Sequence, residues 1–103
     1  MRRYRVEYES GFVKSLADIE DYISRELGNP VASRRLVEDI IKHCKMLRIF
    51  PKGSAVRMRI RGKELRFTYV RMYTNVFSVD DESRTVMVHM VQYSRSDIEA
   101  LLD

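Results

Sequence analysis

Residues 56–69 constrain this chain more than any other stretch. Val56-Arg57-Met58-Arg59-Ile60-Arg61 alternates apolar and basic without a break, Gly62-Lys63 follows, and alternation resumes through Glu64-Leu65-Arg66-Phe67-Thr68-Tyr69. A period of two marks a strand with one buried face, and glycine at the first central position of a two-residue turn suits a type II′ hairpin. Pairing across that turn sets Arg61 opposite Glu64, Ile60 opposite Leu65, Arg59 opposite Arg66, Met58 opposite Phe67, Arg57 opposite Thr68 and Val56 opposite Tyr69. The face formed by Val56, Met58, Ile60, Leu65, Phe67 and Tyr69 is expected to pack on a helical layer. The other face carries Arg57, Arg59, Arg61 and Arg66. Arg59 directly opposite Arg66 would be unfavourable by a few tenths to about 1 kcal/mol, a repulsion that either an anionic partner or water, salt and Glu64 would offset.

The helical layer is legible upstream. Tyr4-Arg5-Val6-Glu7-Tyr8 alternates as a short strand, and Ser10 can cap a helix whose apolar positions Phe12, Leu16, Ile19, Ile23 and Leu27 recur at three and four. Asp18, Glu20 and Asp21 read as its solvated outer face. Gly28-Asn29-Pro30 ends that helix and starts another, with Gly28 as a left-handed terminus, Asn29 as N-cap and Pro30 in the first helical position. The second helix carries Leu36, Ile40, Cys44 and Leu47 on one stripe, widened by Val37 and Ile41, and stops before Pro51.

Downstream, Tyr73 to Val79 forms a strand that turns through Asp80-Asp81-Glu82-Ser83 into Arg84 to Gln92. Both faces of that last strand are apolar, so it belongs at the centre of the sheet. Tyr93 and Arg95 then leave from a rigid edge, and Ser96 caps a terminal helix, Asp97 to Leu102, with Ile98, Leu101 and Leu102 turned inward. The reading is one α+β domain over residues 1–103: an N-terminal strand, a two-helix hairpin on a twisted antiparallel sheet, and a short C-terminal helix, in the order β-α-α-β-β-β-β-α.

Charge narrows the function. Nineteen Lys and Arg against fifteen Asp and Glu leave a net +4, modest in total but concentrated: Arg57, Arg59, Arg61, Arg66 and Arg71 lie within fifteen residues, with Lys63 among them. Such clustering favours a phosphate-bearing partner. Cys44 is the single cysteine, which excludes an intrachain disulfide and points to a reducing, cytoplasmic setting; within its helical stripe it reads as a small buried hydrophobe. His43 and His89 make no metal site with it, and no cofactor is expected. Arg2 and Arg3 precede a charged strand rather than an apolar run, so no signal peptide is read. No apolar stretch is long enough to span a membrane, so no membrane partner is expected.

The order of elements, with Ile23 to Leu47, Phe50-Pro51-Lys52-Gly53, Leu65-Arg66, Tyr73, Val76-Phe77-Ser78-Val79-Asp80 and Tyr93-Ser94-Arg95-Ser96-Asp97-Ile98, resembles the RelE/ParE superfamily of bacterial type II toxins. The resemblance implies a toxin neutralised by a co-expressed antitoxin in a hetero-oligomer. It implies one of two actions: metal-free cleavage of mRNA on the ribosome, or inhibition of DNA gyrase. A ribonuclease of this kind needs a group to activate the ribose 2′-hydroxyl, a cation for the phosphorane and an acid for the leaving oxygen. By resemblance, Arg66, Tyr93 and Arg95 are the catalytic candidates, with Arg57, Arg59, Arg61, Lys63 and Arg71 binding nucleic acid. Thr74 stands where many of the nucleases carry arginine, with Arg71 as a replacement charge, and the long helical hairpin is common among the gyrase poisons. Plainer roles are packing for Tyr93, an ion pair with Asp97 or Asp103 for Arg95, and an antitoxin's acidic segment as partner for Arg57, Arg59 and Arg61. A third reading is a non-toxic nucleic-acid-binding module.

Overall fold

The computed structural model describes residues 3–102, so Arg2 and Asp103 lie outside the described part. The chain runs β1 (Arg5–Tyr8), α1 (Ser10–Asp21), a π-helical turn (Tyr22–Glu26), α2 (Pro30–Met46), a 3-10 turn (Pro51–Gly53), β2 (Val56–Ile60), β3 (Lys63–Val70), β4 (Tyr73–Asp80), β5 (Thr85–Tyr93) and α3 (Ile98–Leu102). One five-stranded sheet has the order β1-β5-β4-β3-β2. The strand with two apolar faces, β5, is thus interior, as its composition requires. β1 lies parallel to β5, with Val6 opposite Val86, so the sheet is mixed rather than wholly antiparallel. The intervening helices and strands supply the long connection that a parallel pair needs.

Between the helices, Gly28 adopts φ +63°, the left-handed geometry that favours glycine. Asn29 Oδ1 accepts the Ala32 N–H at 3.1 Å and Pro30 takes the first helical position. At the start of α1 the cap is Glu9 rather than Ser10, and its side chain makes no capping bond because it is engaged by His89. The inner faces of the helices, Phe12 from α1 with Leu36, Ile40 and Cys44 from α2, close over Val70, Phe77, Val86, Val88 and Val91. Full burial of each such large side chain contributes about 1.5–3 kcal/mol. Burial also pushes the Cys44 thiol up to about 12, so this cysteine is a packing residue.

The strand hairpin departs from the reading of its register. Its turn is Arg61-Gly62, with φ 53° and 78°, and Ile60 lies opposite Lys63, Arg59 opposite Glu64 and Met58 opposite Leu65. Two successive positive φ angles make the type I′ geometry that matches strand twist, and that match outweighs the cost of about 1–2 kcal/mol for a left-handed arginine. The shift also replaces the Arg59–Arg66 repulsion by an Arg59–Glu64 ion pair of 2.6 Å. A bulge between Val56 and Met58 then brings Val56 opposite Arg66.

The apolar face of the hairpin does not meet α1 and α2. Met58, Ile60, Leu65 and Phe67 join Val76 and Met90 in a second cluster closed by Ile98 and Leu102 of α3. Tyr69 is left 50% exposed. Alternation specifies which residues share a face, and only tertiary packing decides which layer covers it. In α3 the cap is Asp97 rather than Ser96, its Oδ1 accepting the Ala100 N–H at 3.2 Å, and Leu101 points outward, 53% exposed. A second irregularity lies in the sheet centre: Val76 faces Met90 but Phe77 faces Val88, which leaves His89 as an extra residue on β5. Among the described residues no helix is long and apolar enough to cross a membrane.

Candidate functional site

The fold disperses the basic residues that the sequence groups. Arg66 is half-buried and donates to the Ser54 carbonyl oxygen, toward β2. Arg71 sits in the β3–β4 turn at φ 53° and pairs with Asp39 of α2. The Arg57 guanidinium lies 5.6 Å over the Phe67 ring and donates to the Tyr69 hydroxyl at 3.2 Å. Thr74 is 1% exposed and shares a 2.8 Å hydrogen bond with Ser94, so its position belongs to the packed interior. Arg71 therefore brings no charge to it.

Tyr93 and Arg95 occupy the far end of β5. Tyr93 faces Tyr73 across β4 and packs edge-on against it, ring centroids 5.9 Å apart. Burial, with a smaller contribution from Tyr93, raises the Tyr73 phenol above its ordinary range. Arg95 is exposed and makes no ion pair among the described residues; Asp97, its suggested partner, caps α3. Arg66 pairs with Phe77, and Tyr93 with Tyr73. The offset is four residues along the strands and two strands across, or about 13 Å by about 10 Å. With the Arg66 guanidinium turned toward β2, away from β5, the three catalytic candidates do not converge on one phosphate.

What does converge lies at the other end of the sheet, on the face away from α1 and α2. Arg61 and Lys63 at the hairpin tip line an open groove of about 1000 Å³ of mixed charge, in which Arg5 and Arg59 stand among six carboxylates, those of Glu7, Glu9, Glu64, Asp80, Asp81 and Glu82. Most carboxylates there are occupied: Glu64 by Arg59, Asp81 by Lys52, and Asp80 by the backbone N–H groups of Glu82 and Ser83. The hydrogen bond from Lys52, reinforced by one from Tyr4, holds the Asp81 carboxyl below its usual range. Arg61 and Lys63 make no ion pair among the described residues.

Beside that groove, at a smaller cleft that shares Glu9, Arg61 and Lys63 with it, lies a chain of side chains that sequence reasoning missed. His89 Nδ1 lies 2.9 Å from a Glu9 carboxylate oxygen, and His89 Nε2 lies 2.7 Å from Ser78 Oγ. A carboxylate only accepts, so Nδ1 carries the proton; in the neutral ring Nε2 then accepts from the Ser78 hydroxyl. The imidazole side chain is 9% exposed and Glu9 46%. Glu9 and His89 are far apart in sequence and meet through the parallel β1–β5 pairing and the bulge, neither of which leaves a local signature.

A mixed sheet under a helical hairpin, with a basic strand hairpin and a short terminal helix, defines the class: the chain is a toxin of the RelE/ParE superfamily of type II toxin–antitoxin systems. More narrowly, the family model described as the ParE toxin of the type II toxin–antitoxin system, parDE, matches residues 6–98, and the chain belongs to that family. Solved structures share the fold at low identity. The chromosomal ParDE system of P. aeruginosa aligns with TM-score 0.72 and 17% identity over 88% of this chain and 96% of that one. The RelBE2 toxin–antitoxin complex of Mycobacterium tuberculosis aligns with TM-score 0.68 and 16% identity over 90% and 93%. A double arginine-to-alanine mutant of E. coli toxin RelE in the free state aligns with TM-score 0.67 and 16% identity over 96% and 92%. A sequence comparison with curated proteins gave no match.

Proposed function

We propose that this toxin is a metal-independent endoribonuclease that cuts mRNA on the ribosome and is held inactive by a cognate antitoxin in a hetero-oligomer. The observation that carries the reading is the hairpin tip, where Arg61 and Lys63 make no ion pair among the described residues and border an open groove whose wall also carries Glu7, Asp80 and Glu82. Cations placed this way attract the phosphate backbone and stabilise charge that develops on a phosphorane. The antitoxin is supported by the ParDE and RelBE2 structures, which are toxin–antitoxin assemblies. Exposed Val13, Leu27, Val31 and Phe50 give such a partner apolar surface to cover.

A second reading is a gyrase inhibitor that grips its target without chemistry. It is favoured by the separation of Arg66 from Tyr93 and by the anchoring of Arg66 on Ser54, since a poison that only binds requires no convergent catalytic set. Induction of the chain alone and with its antitoxin separates the two. The ribonuclease reading expects growth arrest relieved by the antitoxin, with new mRNA ends in primer extension and normal plasmid supercoiling. Lost supercoiling with intact messages would decide for gyrase, and induction without arrest would leave the nucleic-acid-binding module.

A further inference from the structure

We propose that the cleft between the β2–β3 hairpin tip and α3 takes an acidic peptide segment of the antitoxin, with Arg61 and Lys63 gripping its carboxylates and Leu101 covering an apolar side chain between them. The inference rests on the antitoxin part of the reading above and holds for either action of the toxin.

Backbone strain singles out Arg61. Each of the three turns that join β2, β3, β4 and β5 in succession holds an arginine at φ 53°: Arg61, Arg71 and Arg84. Glycine adopts that left-handed geometry at lower cost, so an arginine persists there where its side chain makes up the difference. Arg71 does so by pairing with Asp39. Arg84 lies 4.0 Å over the Tyr4 ring and donates to the Tyr4 hydroxyl at 3.2 Å. Arg61 has no such contact: it makes no ion pair, side-chain hydrogen bond or ring contact among the described residues. Its compensating interaction is therefore with a partner.

The cleft beside Arg61 defines the chemistry of that partner. It encloses about 430 Å³, and Arg61 and Lys63 line it together with Leu65, Met90 and Leu101; Leu101 is 53% exposed. The carboxylate among its lining residues, Glu9, is engaged by His89 at 2.9 Å, which leaves both cations for an incoming acid. No tyrosine or phenylalanine among the described residues lines the cleft, so a nucleobase finds no ring to stack on. A peptide with carboxylates on either side of an apolar side chain matches the cations and the apolar wall together. Arginine beside exposed apolar surface is also the composition of a binding hot spot. Both cations border the open groove as well, so a peptide seated in the cleft masks them from other anions.

Association and dissociation rates of the toxin on immobilised antitoxin, at two salt concentrations, test the assignment with wild type, Arg61→Gly and Leu101→Ala, each also unfolded in urea. Arg61→Gly should be more stable than wild type yet bind about 10–100-fold more weakly, with a shallower salt dependence. Leu101→Ala should keep wild-type stability and bind about 3–10-fold more weakly. A gain in stability with a loss of binding is an outcome that a purely structural arginine does not give. Wild-type affinity in either variant would overturn the assignment and leave the antitoxin reading intact. Unchanged antitoxin affinity in Arg61→Gly, with binding of a single-stranded oligoribonucleotide lost, would assign the tip to RNA instead. A wild-type chain that does not bind the antitoxin would overturn both.

Discussion

Replacing Ile98 by alanine tests the division of this small domain into two cores. Ile98 is 7% exposed and lies against Leu65 and Val76, with Met58, Ile60, Phe67, Met90 and Leu102 packed around them. Each buried methylene-sized group removed costs about 0.8 kcal/mol, and the cavity left behind brings large-to-alanine losses into the range of about 2–5 kcal/mol. The low end applies here. α3 has five residues, too few to form a helix without tertiary contacts, so once Ile98 is truncated the segment undocks and adds no further loss. The expected destabilisation is therefore about 2–3 kcal/mol, equivalent to a drop in melting temperature of roughly 10–20 °C. Urea unfolding gives the energy, and amide exchange over residues 99–102 reports the undocking. Leu101→Ala, at a 53% exposed position, should change stability by no more than about 0.5 kcal/mol. Equal behaviour of the two variants, with the α3 amides still protected in Ile98→Ala, would refute the reasoning. It would mean that Met58, Ile60, Leu65 and Phe67 are covered by α1 and α2.

Three further outcomes follow from particular residues. Arg61→Gly relieves a left-handed φ of 53° and should stabilise the hairpin by about 1 kcal/mol in urea unfolding. Asn29→Ala removes the cap on Ala32 and should cost about 1 kcal/mol by the same measurement. The Cys44 thiol is raised from 9.0 to about 12, so the folded chain holds its proton more tightly than the unfolded one. Stability should be whole below pH 9 and fall as pH rises from 9.0 toward about 12, and a chromogenic disulfide reagent should react with Cys44 only as fast as the chain unfolds. Stability that rises across that window, or rapid labelling of the native protein, would be inconsistent with this burial.

The elements were legible because their signals are local. Gly28-Asn29-Pro30 carries a helix end and a helix start in three side chains, and the apolar faces of β5 place it inside the sheet. The cap of α1 falls on Glu9 rather than Ser10 because Ser10 is already helical and the extended Glu9, its carboxylate turned to His89, holds the cap position without a capping bond. The choice depends on His89, distant in sequence. The hairpin register was misread because Gly62 suits either of two turns, and only the Arg59–Glu64 pairing together with sheet twist selects Arg61-Gly62. Which face of that hairpin meets the helices cannot be inferred from a period of two, so the short α3 looked like an appendage when it closes a core.

The site was harder still. Arginine spacing suggested one basic face, whereas the fold anchors Arg66 on Ser54 and Arg71 on Asp39 and leaves Arg61 and Lys63 at the tip. The Glu9–His89–Ser78 chain depends on a parallel strand pair and a bulge, both set by packing of the whole domain.

The central claim is RNA cleavage, and the most direct measurement is the fate of a defined message on programmed ribosomes incubated with stoichiometric purified toxin. The account predicts a cut at the ribosome-bound codon that leaves a 5′-hydroxyl on the downstream fragment, suppressed by prior addition of the antitoxin. A message that stays full-length under those conditions would contradict it.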